Sequence, residues 1–329
     1  MKTTDNIQGP CVATIGFFDG VHRGHRYVLE QVVDEARATG RESVVVTFDR
    51  HPREVLRGDK PGDVPASECR LLTPLDMKLR LLEATGVDHC VVLPFDKELA
   101  QLSAHDFMAR ILRDQLHADV LVTGYDNRFG HNRTDGFDDY VRYGQELGIR
   151  VVRSRECELP EELAGLHISS STIRHLLKQG DIKRANECLG RRYEIRGTVT
   201  HGFAEGRRLG FPTANLQAES IGQLVPATGV YAVEVTVEDG ERHPGMLNIG
   251  TRPTYDGHAL TLETHIFDFD GDIYGQRLAL AFIDRLRDER RFDSPEELRK
   301  QLEEDKRTIN NSQLTINNSQ FDRSALPLL

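Results

Sequence analysis

Residues 13–29 read ATIGFFDGVHRGHRYVL: an apolar β-branched run, a Phe-Asp-Gly turn, then His22 and His25 where a helix would begin. A helix N-terminus presents unpaired N–H groups and partial positive charge, so two imidazoles at its mouth can donate to phosphate oxygens. Gly24 between them lets the backbone approach a ligand closely. A lone histidine is commonly a surface residue, but His-x-Gly-His directly after a strand predicts a nucleotide-phosphate site.

Working outward, the runs VATIGF, SVVVTF, CVVLPF, DVLVTG and GIRVVR alternate with amphipathic stretches as far as about residue 155. Consecutive apolar positions suit strands covered on both faces, and Val28, Leu29, Val32, Val33 and Ala36 carry helical spacing between two of them. This rhythm predicts a doubly wound α/β domain with a parallel sheet. SSSTIRHLLKQG and DIKRANECLG follow as two helices, each stopped by a glycine. After Tyr193 the texture changes to YEIRGTVT, GVYAVEVTV, GMLNIG, TLETHIF and RLALAFI, short segments punctuated by Gly and Pro. They read as antiparallel strands of a barrel or sandwich. A final helix opens at Ser294 and Pro295. From Thr308, TINNSQL is nearly repeated as TINNSQF, which reads as a disordered tail, with a short Asn/Gln aggregation tract as the alternative.

The whole chain has 329 residues, enough for two domains at about 150 residues each. Lys and Arg number 42 against 52 Asp and Glu, and the net charge of −10 argues against a large nucleic-acid-binding face. The 5 cysteines, Cys11, Cys69, Cys90, Cys157 and Cys188, include no Cys-x-x-Cys pair, so buried free thiols are expected. No apolar run reaches signal-peptide or membrane-span length, which leads to the expectation of a cytoplasmic protein with no membrane partner. There is neither a Walker A sequence nor a dinucleotide Gly-x-Gly-x-x-Gly after the first strand.

Two further stretches carry chemistry. In ISSSTIR, Ser169, Ser170, Ser171, Thr172 and Arg174 bring hydroxyls and a guanidinium to a helix start, which suits polyphosphate and equally suits an ordinary N-cap. In HGFAEGRRLGFPTANL, a glycine-bearing loop precedes Pro212, Thr213, Ala214 and Asn215. On a strand, Thr213 and Asn215 share a face and could offer two oxygens to one cation; a Gly/Pro turn before an edge strand is the plainer account. Further on, TLETHIFDFDGDIYG sets Glu263 and His265 on one strand face. Its DFDGD imitates a calcium loop, but Ile273 and Ala279 stand where Gly and Glu are needed.

These motifs, together with VTFDRHPREVL, LPFDKELAQLS and GYDNRFG, give a chain that resembles the bacterial bifunctional riboflavin kinase/FAD synthetase family over all but its tail. The resemblance implies an FMN adenylyltransferase domain at 1–185, a six-stranded antiparallel β-barrel riboflavin kinase domain at 186–307, and a tail at 308–329. It implies two reactions: ATP phosphorylates riboflavin to FMN, and ATP then adenylylates FMN to FAD with release of pyrophosphate, with Mg²⁺ as the metal. His22 and His25 would hold the α- and β-phosphates, Gly16, Phe17 and Asp19 would line the ATP site, and Ser170, Thr172 and Arg174 would hold pyrophosphate. Asp126, Asn127 and Arg128 would contact the flavin side. In the barrel, Thr213 and Asn215 would bind Mg²⁺, Gly206, Arg207 and Gly210 would cover the nucleotide, and Glu263 would be the general base. Asn248, Arg252 and the helix after Ser294 would form the flavin wall. Phe17 departs from the pattern, since many relatives have Asn there. The expected partners are small molecules, and the chain is expected to be a monomer or weak homo-oligomer. Two rivals remain at this point: a His-x-Gly-His transferase acting on another phosphate, and a flavin-responsive binding protein. Because the tail shows no apolar face, truncation after Arg307 is expected to be harmless.

Overall fold

All five apolar runs of the N-terminal half are strands, and every pair they make is parallel. The computed structural model describes residues 1–3, 7–55, 70–125, 127–131, 134–156, 163, 165–201, 205–217, 221–254 and 257–311. Cys69, Cys157 and Asp126 lie outside this set. The chain divides into two units, Met1–Ile168 and Ser169–Leu329.

In the first unit, β1 (Lys2–Thr3), β2 (Cys11–Ile15), β3 (Glu42–Phe48), β4 (His89–Leu93), β5 (Ala118–Thr123) and β6 (Arg150–Arg153) form one sheet in the order β1-β4-β3-β2-β5-β6. The helices are α1 (Arg23–Thr39), α2 (Pro52–Val55), α3 (Leu75–Glu83), α4 (Lys97–Gln101), α5 (Ala104–Phe107), which continues as a π-helical stretch Met108–Gln115, and α6 (Phe137–Leu147). Alternation along β2 sends Cys11, Ala13 and Ile15 into a cluster with Val44, Val46, Phe107 and Tyr140, while Val12 meets Val32 and Ala36 of α1 on the opposite face. Helices therefore cover both faces. The strand order also creates a switch point: β2 lies between β3 and β5, so the loops leaving β2 and β5 emerge side by side at the carboxyl end of the sheet, where open α/β sheets bind ligands. Cys11, Cys90 and Cys188 are buried, as expected, and burial pushes the thiol of Cys11 up to about 12 and that of Cys90 up to about 11.

The second unit begins with α7 (Ser170–Gln179) and α8 (Ile182–Leu189) and continues through β7 (Glu194–Thr200), α9 (Glu205–Arg208), β8 (Ala214–Leu216), β9 (Gly229–Thr236), β10 (Arg242–Thr254), β11 (Gly257–Ile266), β12 (Arg277–Arg287) and α10 (Pro295–Asn311). The six strands close into an antiparallel barrel in the order β10-β11-β8-β7-β12-β9. The division falls at 168/169, whereas the expected domain boundary is 185/186; α7 and α8 group with the barrel. Asn186 donates to Phe282 O at 2.9 Å and accepts from Tyr193 N at 2.7 Å, and Ala227 N donates to Leu177 O. Both helices are thereby hydrogen-bonded to barrel segments.

The reading of a tail from Thr308 is also corrected. Ser294 caps α10 as the sequence implies, accepting from Glu297 N at 3.2 Å, but the helix runs on to Asn311. Asp305, 5% exposed, receives a fork of hydrogen bonds from Arg287 of β12, the shortest 2.7 Å. One helical turn later, Ile309 is 1% exposed and packs with Phe211, Val230, Ala232, Met246 and Phe267. The Asn-rich repeat thus begins with an anchoring side chain; residues 312–329 lie outside the described set. Ile309→Ala is expected to cost the barrel unit about 2–5 kcal/mol, read as faster exchange of β9 and β10 amides in the full chain. A change under about 0.5 kcal/mol, the range of substitutions at undocked surface positions, would show that the residue is not docked.

Candidate functional sites

The first site is built on a turn that the chain adopts only under constraint. After β2, Phe18 has φ of +53° and Val21 of +38°, left-handed values that side chains with Cβ atoms disfavour by about 1–2 kcal/mol each. The turn is held from outside. Asp19, 3% exposed, accepts from the backbone N–H of Leu72 (3.0 and 3.1 Å) and Thr73 (3.0 Å), and Gly20 N donates to Thr73 Oγ1 at 2.9 Å. The carboxylate oxygens are therefore used to pin residues 72–73, a structural task where the sequence suggested contact with ATP.

The turn delivers His22 to the N-cap of α1. Its Nδ1 accepts from His25 N at 3.3 Å, which leaves the proton of the neutral ring on Nε2. His25 stacks on it, with centroids 3.6 Å apart and planes 18° from parallel, and the Phe18 ring meets His25 edge-on at 5.1 Å. A Cβ on Gly24 would press on the His22 ring at 3.3 Å, which explains the small residue between the two histidines. The Nδ1 of His25 is buried and, among the described residues, has no hydrogen-bond partner. Burial, then the neighbouring His22, then Lys78 hold the His25 imidazole well below its usual 6.5, so it is neutral at physiological pH. A buried orphan nitrogen at a helix N-terminus suits a ligand that completes its hydrogen bonding.

Gly16 is half-buried beneath the Phe18 ring. The Phe17 ring lies under Lys78 Nζ (4.2 Å to the centroid) and against His51 (4.7 Å), so this side chain packs against its neighbours. Asn127, from the loop after β5, donates Nδ2 to Ile15 O at 2.7 Å and so ties the two switch-point loops together. Its amide nitrogen is committed to the fold. Arg128 is exposed, and Tyr140 braces the loop by accepting from Phe129 N at 3.1 Å. Lys78 was not singled out in the sequence, because one lysine in an amphipathic helix looks like part of a solvated face. It is 2% exposed.

Ser170, Thr172 and Arg174 belong to the second unit, at the start of α7. Ser169 is the N-cap there: its Oγ accepts from Thr172 N at 3.1 Å and lies 3.0 Å from Thr172 Oγ1.

The barrel site is a row set by register. Asn215 of β8 pairs with Glu263 of β11, which pairs in turn with Asn248 of β10, and directly opposed residues project to the same face. Thr213 stands two residues before Asn215, just ahead of β8. His265, two residues beyond Glu263 and 7% exposed, places Nδ1 2.8 Å from Pro212 O and so ties down the segment carrying Thr213. Burial lowers the His265 imidazole, against the Pro212 contact. Gly206 lies in α9, where a Cβ would meet Phe211 O at 2.3 Å, and Gly210 has φ of +82°. The loop from 206 to 211 therefore requires both glycines; Arg207 shares α9. Arg252 reaches Glu263 Oε1 at 2.6 Å. Thus the structure brings Asn215, Glu263, Asn248 and Arg252 together, with Thr213 beside them.

Hydroxyl and amide oxygens are hard, neutral donors. Among the described residues no group of three or more His, Cys, Asp or Glu is disposed to hold a metal. A site of this kind suits Mg²⁺ that arrives with nucleotide phosphates and takes only one or two ligands from the protein. Among the described residues no helix is long and apolar enough to cross a membrane.

Comparisons with known proteins also fall into two halves. The FAD synthetase family model matches residues 4–172 and the riboflavin kinase family model matches residues 189–313. The chain is 41% identical over 296 residues to a bifunctional riboflavin kinase/FMN adenylyltransferase of Pseudomonas fluorescens, covering 90% of each chain. It is 38% identical to the protein of that name from Escherichia coli K12, covering 92% of each. A solved structure from Streptococcus pneumoniae described as a macrolide-efflux protein superposes with a TM-score of 0.81 at 30% identity, over 94% of this chain and 98% of that one. With both halves matched and identity sustained across most of the chain, this protein belongs to the bifunctional riboflavin kinase/FMN adenylyltransferase family.

Proposed function

We propose that the two activities are divided between the two sites: the barrel phosphorylates riboflavin, and the His-x-Gly-His site adenylylates the FMN so formed. The observation that carries the reading is the register row Asn215–Glu263–Asn248 together with the stacked His22/His25 pair, two constellations with different chemistry on separate units.

In the barrel, Glu263 takes the proton from the terminal ribityl hydroxyl as that oxygen attacks the γ-phosphorus of ATP, and ADP leaves. Arg252 orients the carboxylate by its 2.6 Å contact, and Asn248 stands beside it on the next strand. Thr213 and Asn215 would hold Mg²⁺, with His265 fixing the Pro212 carbonyl just upstream. When bound, the ion neutralises charge on the transferring phosphoryl group. The tight 206–211 loop suits cover over the nucleotide phosphates.

In the first unit, an FMN phosphate oxygen attacks the α-phosphorus of ATP, forming the pyrophosphate link of FAD and releasing pyrophosphate. No covalent intermediate is required, so the protein's work is to position two anions and stabilise charge. His22 and the neutral His25 can each donate an N–H to phosphate oxygens, backed by the N-terminus of α1. Gly16 and the backbone at Phe17 would line the same cradle, and Arg128 is exposed for a flavin-side role. The pyrophosphate role expected of Ser170, Thr172 and Arg174 rests on the ISSSTIR motif alone. Soluble small-molecule substrates fit a cytoplasmic monomer or weak oligomer.

Two variants test the division. His25→Ala should abolish FAD formation while FMN accumulates from riboflavin and ATP. Glu263→Gln should block FMN formation while supplied FMN is still converted to FAD. Loss of both products in either variant contradicts separate sites. A third test reads the histidine itself by NMR titration of its imidazole. Because the folded value is lowered, the ring should stay neutral from about pH 8 down to about 6, and stability should fall on acidification as the unfolded chain takes up the proton first. An ordinary midpoint near 6.5 would show that His25 is not desolvated.

A further inference from the structure

Lys78 is the charged group that the reaction scheme leaves without a task. It projects from α3 into the first unit with 2% exposure, and its Nζ donates to Phe48 O at 2.8 Å and to Phe17 O at 3.1 Å while lying over the Phe17 ring. Burying an ammonium is costly, and an apolar side chain of the same length would fill the space more cheaply. Its position shows what the charge does. Phe17 O also accepts from Thr47 Oγ1 at 3.1 Å, so two donors from two elements fix the peptide plane that enters left-handed Phe18. The other half of the turn is held by Asp19 through Leu72 and Thr73, just before α3. Phe18 then meets His25, and His22 caps α1.

We propose that Lys78 is a positioning residue for adenylyl transfer: by clamping the Phe17 and Phe48 carbonyls it holds the 17–22 turn in the conformation that stacks His22 and His25 at the mouth of α1. The proposal rests on the reading that this histidine pair is the adenylyl-transfer site. Lys78 is too deeply buried to reach a nucleotide and acts through the backbone it grips. The groups that face it are Asp19 of the turn, Asp49 after β3, Cys90 on β4 and His25 on α1; on its own helix, Asp76 and Arg80 pair with each other at 3.3 Å. Burial lowers the ammonium to about 8 against the pull of Asp19, Cys90 and Asp49, so the grip weakens as pH rises through that value.

The test uses the full chain, with riboflavin phosphorylation in the same preparation as the internal control. Lys78→Met, which keeps the stem and removes charge and donors, should lower kcat for FAD formation about 10–100-fold, with a smaller change in KM for ATP and unchanged riboflavin phosphorylation. The His25 imidazole midpoint should rise, since one of the charges that lowers it is gone. Lys78→Gln, which keeps an amide donor, should recover part of kcat. Unchanged kcat in folded Lys78→Met, or in folded Lys78→Gln should the methionine variant not fold, overturns the proposal. The native chain gives a reading that needs no variant: kcat for FAD formation should fall as pH rises through about 8 while riboflavin phosphorylation does not follow it, and a flat adenylylation profile contradicts the clamp. His25→Asn separates the two possible failures. If it leaves adenylylation intact, the site reading fails; if it abolishes adenylylation while the Lys78 variants are silent, only the clamp fails.

Discussion

Asp19 accepts from two backbone N–H groups, those of Leu72 and Thr73, and together with the donors on Phe17 O this carboxylate holds the turn between β2 and α1 with two non-glycine residues at positive φ. Everything in the first site follows from that turn. It aims the chain so that His22 becomes the N-cap of α1, and the cap fixes the ring on which His25 stacks. Strain of about 1–2 kcal/mol per left-handed residue persists only because buried hydrogen bonds over-determine the conformation. The molecule spends folding energy here, at the carboxyl end of the sheet, on a fixed geometry for two stacked imidazoles.

The barrel reaches a comparable result by register instead of strain. Because side chains alternate along each strand, pairing Asn215 with Glu263 and Glu263 with Asn248 brings three polar groups onto one face without an unusual backbone angle. A slip of one residue in either pairing would send Glu263 to the opposite face from its neighbours. The register is backed by helix α10, whose Asp305 accepts Arg287 and whose Ile309 seats among Phe211, Met246 and Phe267. Membership in the bifunctional family and this physical division agree: adenylyl transfer and phosphoryl transfer need different arrangements of charge, and the chain supplies one in each unit.

Much of this was legible in the sequence, and the gaps have physical causes. Consecutive β-branched runs identified five of the six parallel strands; the sixth, β1, is two residues long and has no periodicity to read. His22 and His25 stood out from a tight motif directly after a strand, whereas Thr213, Asn215 and Glu263 were marked by the resemblance to the family. Asp19 and Asn127 were visible too, but motif context could not show that their side chains are committed to backbone partners. Lys78 was hidden because its value comes from carbonyls 30 and 61 positions earlier in the chain, contacts that no local pattern encodes. Ile309 was masked by the polar repeat around it, although its spacing from Asp305 continues the helical face. The grouping of α7 and α8 was hidden for a related reason: they follow the sheet in sequence, but their hydrogen bonds go to the barrel.

The central claim is that one chain carries two separate phosphate cradles. The most direct measurement is a crystal structure of the full chain with a non-hydrolysable ATP analogue and riboflavin bound. The account predicts one set of phosphate oxygens within hydrogen-bond distance of the His22 or His25 imidazoles, and a second set beside Thr213 and Asn215 with the ribityl hydroxyl at Glu263. Nucleotide at only one of these places, or phosphates held elsewhere while both sets of side chains stay unengaged, would contradict it.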